Sequence, residues 1–125
     1  MDYFIYSFWN HTPDHFTKGK TSAIMQKLME TNLSDIQEVC KRRHVRNLYL
    51  FGSILTNRFT DNSDVDFLVE FDPIPIEDYA DNYFELCADL EQILGRRVDI
   101  VTMRSVKNPY FETELLQTRQ LIFEG

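Results

Sequence analysis

The order of apolar patterns along the chain predicts an α+β domain, a small mixed β-sheet with helices on one face. Three observations carry this. Asn47–Phe51 (NLYLF) and Val98–Thr102 (VDIVT) are apolar runs of strand length. Val65–Phe71 (VDFLVEF) alternates with period two: Val65, Phe67, Val69 and Phe71 face one way, and Asp64, Asp66 and Glu70 the other. The segments around these runs carry apolar residues at helical spacing, giving the order α-β-β-α-β-α. The 125 residues and 14.9 kDa suit one core, which in a chain of this size buries roughly two-thirds of the unfolded surface. With 43% hydrophobic and 26% charged residues, the composition excludes a wholly disordered chain. Its apolar runs stay well short of the roughly 20 residues that span a bilayer.

Taken in order, residues 1–31 form an N-terminal arm of unclear role and 32–125 the folded domain. The arm opens on an acid, and Asn10, His11 and Pro13 interrupt its apolar stretch, so it lacks the pattern of a signal peptide; a cytoplasmic location is expected. Its aromatics Tyr3, Phe4, Tyr6, Phe8, Trp9 and Phe16 suggest packing on the domain or on another subunit, and a start at Met25 is the alternative. His11 and His15 have a metal-binding spacing, but Pro13 between them argues against a regular helix.

A short helix is expected over Thr21–Met29. A second, capped by Asn32 or Ser34, runs to about His44 with Leu33, Ile36, Val39 and Cys40 on one face. The cations Lys41, Arg42, Arg43 and Arg46 complement the helix macrodipole or form a small anion patch. Gly52-Ser53 breaks the first strand, and Pro73 and Pro75 end the second. A helix follows from Ile76 to Leu94, with Phe84, Leu86, Cys87, Leu90, Ile93 and Leu94 as its buried stripe and Gly95 as terminator. Lys107–Arg119 reads as helix with Pro109 in its first turn, and Gln120–Phe123 as an extension or strand. Cys40 and Cys87 are far apart and lack a CxxC partner, which fits two core thiols.

Three carboxylates carry the chemistry. Asp64 and Asp66 lie at i and i+2 on one strand face, and Asp99 stands on another strand with the same alternation. If those strands are neighbours, the acids converge, repel one another and raise some of their pKa values. Mg²⁺ relieves such repulsion, taking carboxylate oxygens together with water and substrate phosphates. Two ions can activate an attacking oxygen and stabilise a leaving one. Upstream, Gly52-Ser53 at a strand end permits close backbone approach to a phosphate. A calcium-loop reading of residues 62–73 fails, because Phe67 stands where glycine and Pro73 where glutamate is needed.

The run FGSILTNRFTDNSDVDFLVEF, with Gly-Ser, ten residues and Asp-x-Asp, resembles the DNA polymerase beta-like nucleotidyltransferase superfamily. More narrowly it is similar to the minimal nucleotidyltransferases, including the MntA-type antitoxins paired with HEPN-domain toxins. The resemblance covers about Ser34–Phe123 and implies the polymerase beta-like fold. It implies that Gly52 and Ser53 hold the triphosphate and that Asp64, Asp66 and Asp99 are catalytic and bind two Mg²⁺ ions, or Mn²⁺. Arg58 is a candidate nucleotide contact, because the small-Arg-Gly stretch of relatives reads Thr56-Asn57-Arg58 here. The implied reaction transfers AMP from ATP to a hydroxyl, a tyrosine on a HEPN toxin partner; the alternative is an antitoxin that neutralises the toxin by binding alone. With so few residues beyond the sheet and its helices, a second subunit or partner is expected to complete the acceptor site, with Tyr110-Phe111 as a candidate contact.

Lys plus Arg total 13 and Asp plus Glu 20, a net charge of −7. Extended nucleic-acid binding is not expected, because the sequence shows no long basic groove and its only basic cluster is Lys41 to Arg46. A nucleoside triphosphate is expected, through metal ions bound to the acidic cluster.

Overall fold

The computed structural model describes residues 23–52, 60 and 62–125. Ser53, Arg58, the Thr56-Asn57 departure and the expectations for residues 1–22 lie outside this set. The elements are α1 (Ala23–Arg42), β1 (Val45–Phe51), β2 (Val65–Phe71), α2 (Ile76–Leu94), β3 (Val98–Thr102), a 3-10 turn (Met103–Ser105), α3 (Pro109–Thr118) and β4 (Gln120–Glu124).

Helix α1 is continuous where two helices were expected. Neither Asn32 nor Ser34 caps a new start: Asn32 Nδ2 donates to the Leu28 carbonyl 2.8 Å away, one turn back within the same helix. Met25, Met29, Ile36, Val39 and Cys40 are buried, with Leu33 packed beside them. That unbroken stripe at three-to-four spacing holds the helix through residues of modest helix propensity. His44, at φ 60, turns the chain into β1.

The sheet order is β3-β2-β1-β4, with β1 antiparallel to both β2 and β4 and β2 parallel to β3. A parallel pair needs a crossover of a dozen or more residues, and α2 supplies it. The C-terminal residues, an extension or strand by sequence, form the edge strand β4. The predicted alternation of β2 holds. Val65, Phe67 and Val69 are buried with Leu48, Leu50, Ile100 and residues of α1 and α2. On the opposite face Leu68 joins Tyr49 and Leu115 of α3 in a smaller cluster with Phe51 and Met103 packed against it.

In α2, Asn82, Leu86, Leu90 and Leu94 point inward at four-residue spacing. Cys87 and Ile93 sit at the margin. Phe84, expected in the stripe, is 66% exposed, because two residues before Leu86 is roughly 200° around a helix. Gly95 ends α2 in the left-handed conformation, φ 67, donating its N–H to Glu91 O. Helix α3 begins two residues later than expected: Asn108 is its cap, its side chain accepting from Tyr110 N at 2.9 Å and Phe111 N at 3.2 Å.

The three arginines at and after the end of α1 are committed to ion pairs. Arg43 bonds Asp89 at 2.8 Å and Glu85 at 3.1 Å, and Arg42 lies 3.4 Å from Glu38. Arg46 lies 3.4 Å from Asp72. These contacts tie α1 to α2 and β1 to the loop after β2.

The inward stripe of α2 makes a testable contrast. Leu86→Ala should cost about 2–5 kcal/mol in chemical denaturation, and Phe84→Ala less than about 1 kcal/mol; equal losses would contradict the assigned helix face.

Candidate active site

The site is built at one end of three adjacent strands. In the parallel pair Val65 stands opposite Val98 and Asp66 opposite Asp99. On β1, Phe51 stands opposite Asp66, so Gly52 leaves the strand beside that carboxylate. The sequence therefore folds Gly52, Asp66 and Asp99 onto neighbouring strands, with Asp64 one step before β2.

Gly52 is required twice over. Its φ is +79, a conformation that side chains rarely adopt. A Cβ there would lie 3.2 Å from Asp66 Cγ and would run into Asp66 Oδ2. The glycine thus lets the backbone press directly against the carboxylate. Asp66 is half-buried, and its pKa is raised from 3.8 to about 6, first by desolvation and then by the negative charges of Asp99 and Asp64.

Asp64 and Asp99 remain exposed. Among the described residues no group of three or more His, Cys, Asp or Glu side chains is gathered tightly enough to hold a metal ion. The fold thus aligns the three acids without converging them on one point. Their chemistry nevertheless suits a hard divalent cation. The donors are carboxylate oxygens, and Asp66 carries the strain of two like-charged neighbours that a cation would remove.

Two residues that the sequence reading passed over also belong to this region. Arg96 Nη1 donates to Thr60 O at 3.1 Å and Ser63 O at 3.0 Å. Ser63 N donates to Thr60 O at 3.1 Å, so Arg96 fastens a small turn that delivers Asp64 to β2. Arg97 Nε lies 3.9 Å from Asp64 Oδ1. The signal was available: Arg97 precedes Asp99 by two residues and shares its face by strand alternation. Next to the site, the Phe111 ring meets Phe51 edge-on at 6.2 Å, and Tyr110 is 87% exposed.

Residues 34–125 match the model of the polymerase beta nucleotidyltransferase family, and the chain belongs to that family. Its enzyme class is accordingly nucleotidyl transfer. A protein of Methanocaldococcus jannaschii whose name describes a protein adenylyltransferase is 35% identical over 91 residues, covering 66% of this chain and 90% of that one. The protein adenylyltransferase MntA of Thermococcus cleftensis is 38% identical over 79 residues, covering 63% and 77%. A solved structure described as a minimal nucleotidyltransferase superposes with a TM-score of 0.63 at 25% identity, covering 76% of this chain and 92% of that one. A second, of a tri-AMPylated HEPN toxin from Shewanella oneidensis in complex with its MNT antitoxin, superposes with a TM-score of 0.54 at 21% identity, covering 78% and 73%; at that identity it shows the same fold. Among the described residues no helix is long and apolar enough to cross a membrane.

The raised Asp66 pKa has a stability consequence with a definite sign. The folded protein holds that proton more tightly than the unfolded chain, so stability without metal falls as pH rises from about 4 to about 6 and stays lower above. Asp66→Asn should therefore stabilise the metal-free protein at pH 7.5, by on the order of 1 kcal/mol after allowing for solvent screening of this half-exposed group. The gain should vanish at pH 3.5; a variant less stable than the parent at pH 7.5 would contradict the assignment.

Proposed function

We propose that the protein transfers AMP from ATP to a hydroxyl on a partner protein, a tyrosine of a HEPN-domain toxin, and so acts as an antitoxin. The observation that carries this reading is the juxtaposition of Gly52, Asp66 and Asp99 on three neighbouring strands. Family membership supplies nucleotidyl transfer, and the relatives named as protein adenylyltransferases favour AMP and a protein acceptor. The Shewanella complex, in which an AMPylated HEPN toxin accompanies an antitoxin of this fold, favours the toxin as partner.

In this reading Gly52, with Ser53, presents backbone to the β and γ phosphates, since the Cβ-free surface beside Asp66 is what close approach requires. Arg58 is the candidate third phosphate contact. Asp64, Asp66 and Asp99 would hold the divalent cations, Mg²⁺ by their hard-oxygen chemistry. Bound there, the ions would neutralise the triphosphate and sharpen the acceptor as a nucleophile. Asp99, on the far side of Asp66 from Gly52, faces the acceptor and helps draw off its proton. The acceptor oxygen forms a bond to the α-phosphorus in line as the bond to the β-phosphate oxygen breaks, and pyrophosphate leaves on the Gly52 side.

Two measurements test this. Incubation with labelled ATP, Mg²⁺ and the product of the neighbouring gene should label that protein on tyrosine, and Asp66→Ala should lower the rate at least about a hundredfold. An unlabelled partner, or equal labelling by the variant, would sink the proposal. In calorimetry, ATP should bind with Mg²⁺ and lose nearly all affinity in excess chelator, because a chain of net charge −7 draws on bound cations to hold a polyanion; tight binding under chelation would count against the metal-bridged site.

A further inference from the structure

The strand register around the carboxylates places one more side chain in their row. Because Val65 pairs with Val98 and Asp66 with Asp99, the residue opposite Asp64 is Arg97. Arg97 immediately precedes β3, its carbonyl accepts from Val65 N at 3.0 Å, and continuing the strand alternation by one residue puts its side chain on the side of Asp99. Four charges therefore form two cross-strand pairs, Asp64 with Arg97 and Asp66 with Asp99. The Arg97 Nε to Asp64 Oδ1 distance is 3.9 Å, and the Arg97 side chain is 85% exposed. An exposed pair at that distance contributes little to stability, so the fold does not depend on where this guanidinium goes.

The other arginines among the described residues are engaged elsewhere. Arg42, Arg43 and Arg46 pair with Glu38, Glu85, Asp89 and Asp72. The guanidiniums of Arg104 and Arg119 lie over the rings of Tyr79 and Tyr49, 5.5 and 4.1 Å from their centroids. Arg96 fastens the Thr60–Ser63 turn. Arg97, by contrast, extends into solvent at the mouth of the acidic row.

Position decides what it can touch. Gly52 leaves β1, on one side of β2, whereas Asp99 lies on β3, on the other, and Arg97 immediately precedes that strand. With the leaving pyrophosphate on the Gly52 side, Arg97 is on the side from which the hydroxyl attacks. Were Asp64 to hold a cation, Arg97 would lose the partner it leans toward, and its planar fork of donors would be open to the incoming acceptor.

We infer that Arg97 is the acceptor-selecting residue of this site, recognising a carboxylate next to the attacking hydroxyl. The acceptor class is thus a tyrosine within an acidic stretch of polypeptide. A nucleic-acid 3′ end also presents an anion beside a hydroxyl, but among the described residues the pairing of Arg42, Arg43 and Arg46 leaves little continuous basic surface to follow its backbone. This inference rests on the nucleotidyltransfer reading, and its test separates the two.

The probes are two fluorescent hexapeptides with a central tyrosine, one flanked by glutamates and one by lysines, and a short single-stranded oligonucleotide. Each is titrated by fluorescence polarisation into the full chain with Mg²⁺ and a non-hydrolysable ATP analogue. The glutamate-flanked peptide should bind about tenfold more tightly than the lysine-flanked one, the difference expected of one charge-assisted contact. Arg97→Gln should erase that preference and Arg97→Lys retain part of it. Affinity for the ATP analogue alone, measured by calorimetry, should change less than about twofold in either variant, since Arg97 lies off the Gly52 side. Equal binding of the two peptides, absence of peptide binding, or tighter binding of the oligonucleotide would overturn the inference. A large loss of analogue affinity in Arg97→Gln would do so too, by assigning Arg97 to the triphosphate. Failure of the unsubstituted protein to bind the analogue would instead strike the nucleotidyltransfer reading.

Discussion

The site depends on a carboxylate held where it does not want to be ionised. Asp66 is half-buried between two other acids, and the backbone at Gly52 presses so closely that no side chain fits there. The repulsion among these groups is a stability cost, built into the first residues of β2. Folded proteins tolerate such a cost where it serves function. Here it makes the edge of the sheet a place that a cation relieves, and through the cation a place that an anion can occupy.

The rest of the architecture serves that placement. The parallel pairing of β2 with β3 brings Asp66 and Asp99 into register, and it exists only because α2 crosses between them. The Leu86, Leu90 and Leu94 stripe fixes α2 on the sheet, and Arg43 ties α1 to α2 through Asp89 and Glu85. Gly95 ends the helix so that Arg96 and Arg97 emerge beside Asp64: one fastens the turn before it and the other faces its carboxylate. Under the proposed function, the net negative charge and an anionic substrate are compatible, because cations held at these acids would supply the positive charge that binding requires.

Much of this was legible in the sequence, for identifiable reasons. The period-two pattern of Val65–Phe71 set the face of Asp66, because one face had to be buried. The Gly-Ser, Asp-x-Asp and distal Asp spacing pointed to the family that the comparisons show. Two errors came from reading local chemistry without tertiary burial. Asn32 and Ser34 looked like helix starts, but Met25 and Met29 extend the buried stripe past them. Phe84 looked like core, yet it lies on the far side of α2 from Leu86. Arg97 was missed for a different reason: its spacing from Asp99 was visible, but its pairing with Asp64 lies in a cross-strand arrangement that only the folded chain displays. Ser53 and Arg58 lie beyond the described residues, and their roles stay with the proposal.

The central claim is that Asp66 is a strained carboxylate awaiting a cation, and its own titration tests that most directly. Carbon NMR of the aspartate side chains in chelated protein should show Asp66 titrating near pH 6. Saturating Mg²⁺ with a non-hydrolysable ATP analogue should move that titration well below the ordinary carboxylate range. An Asp66 that titrates as an ordinary carboxylate, unmoved by Mg²⁺ and nucleotide, would contradict the account.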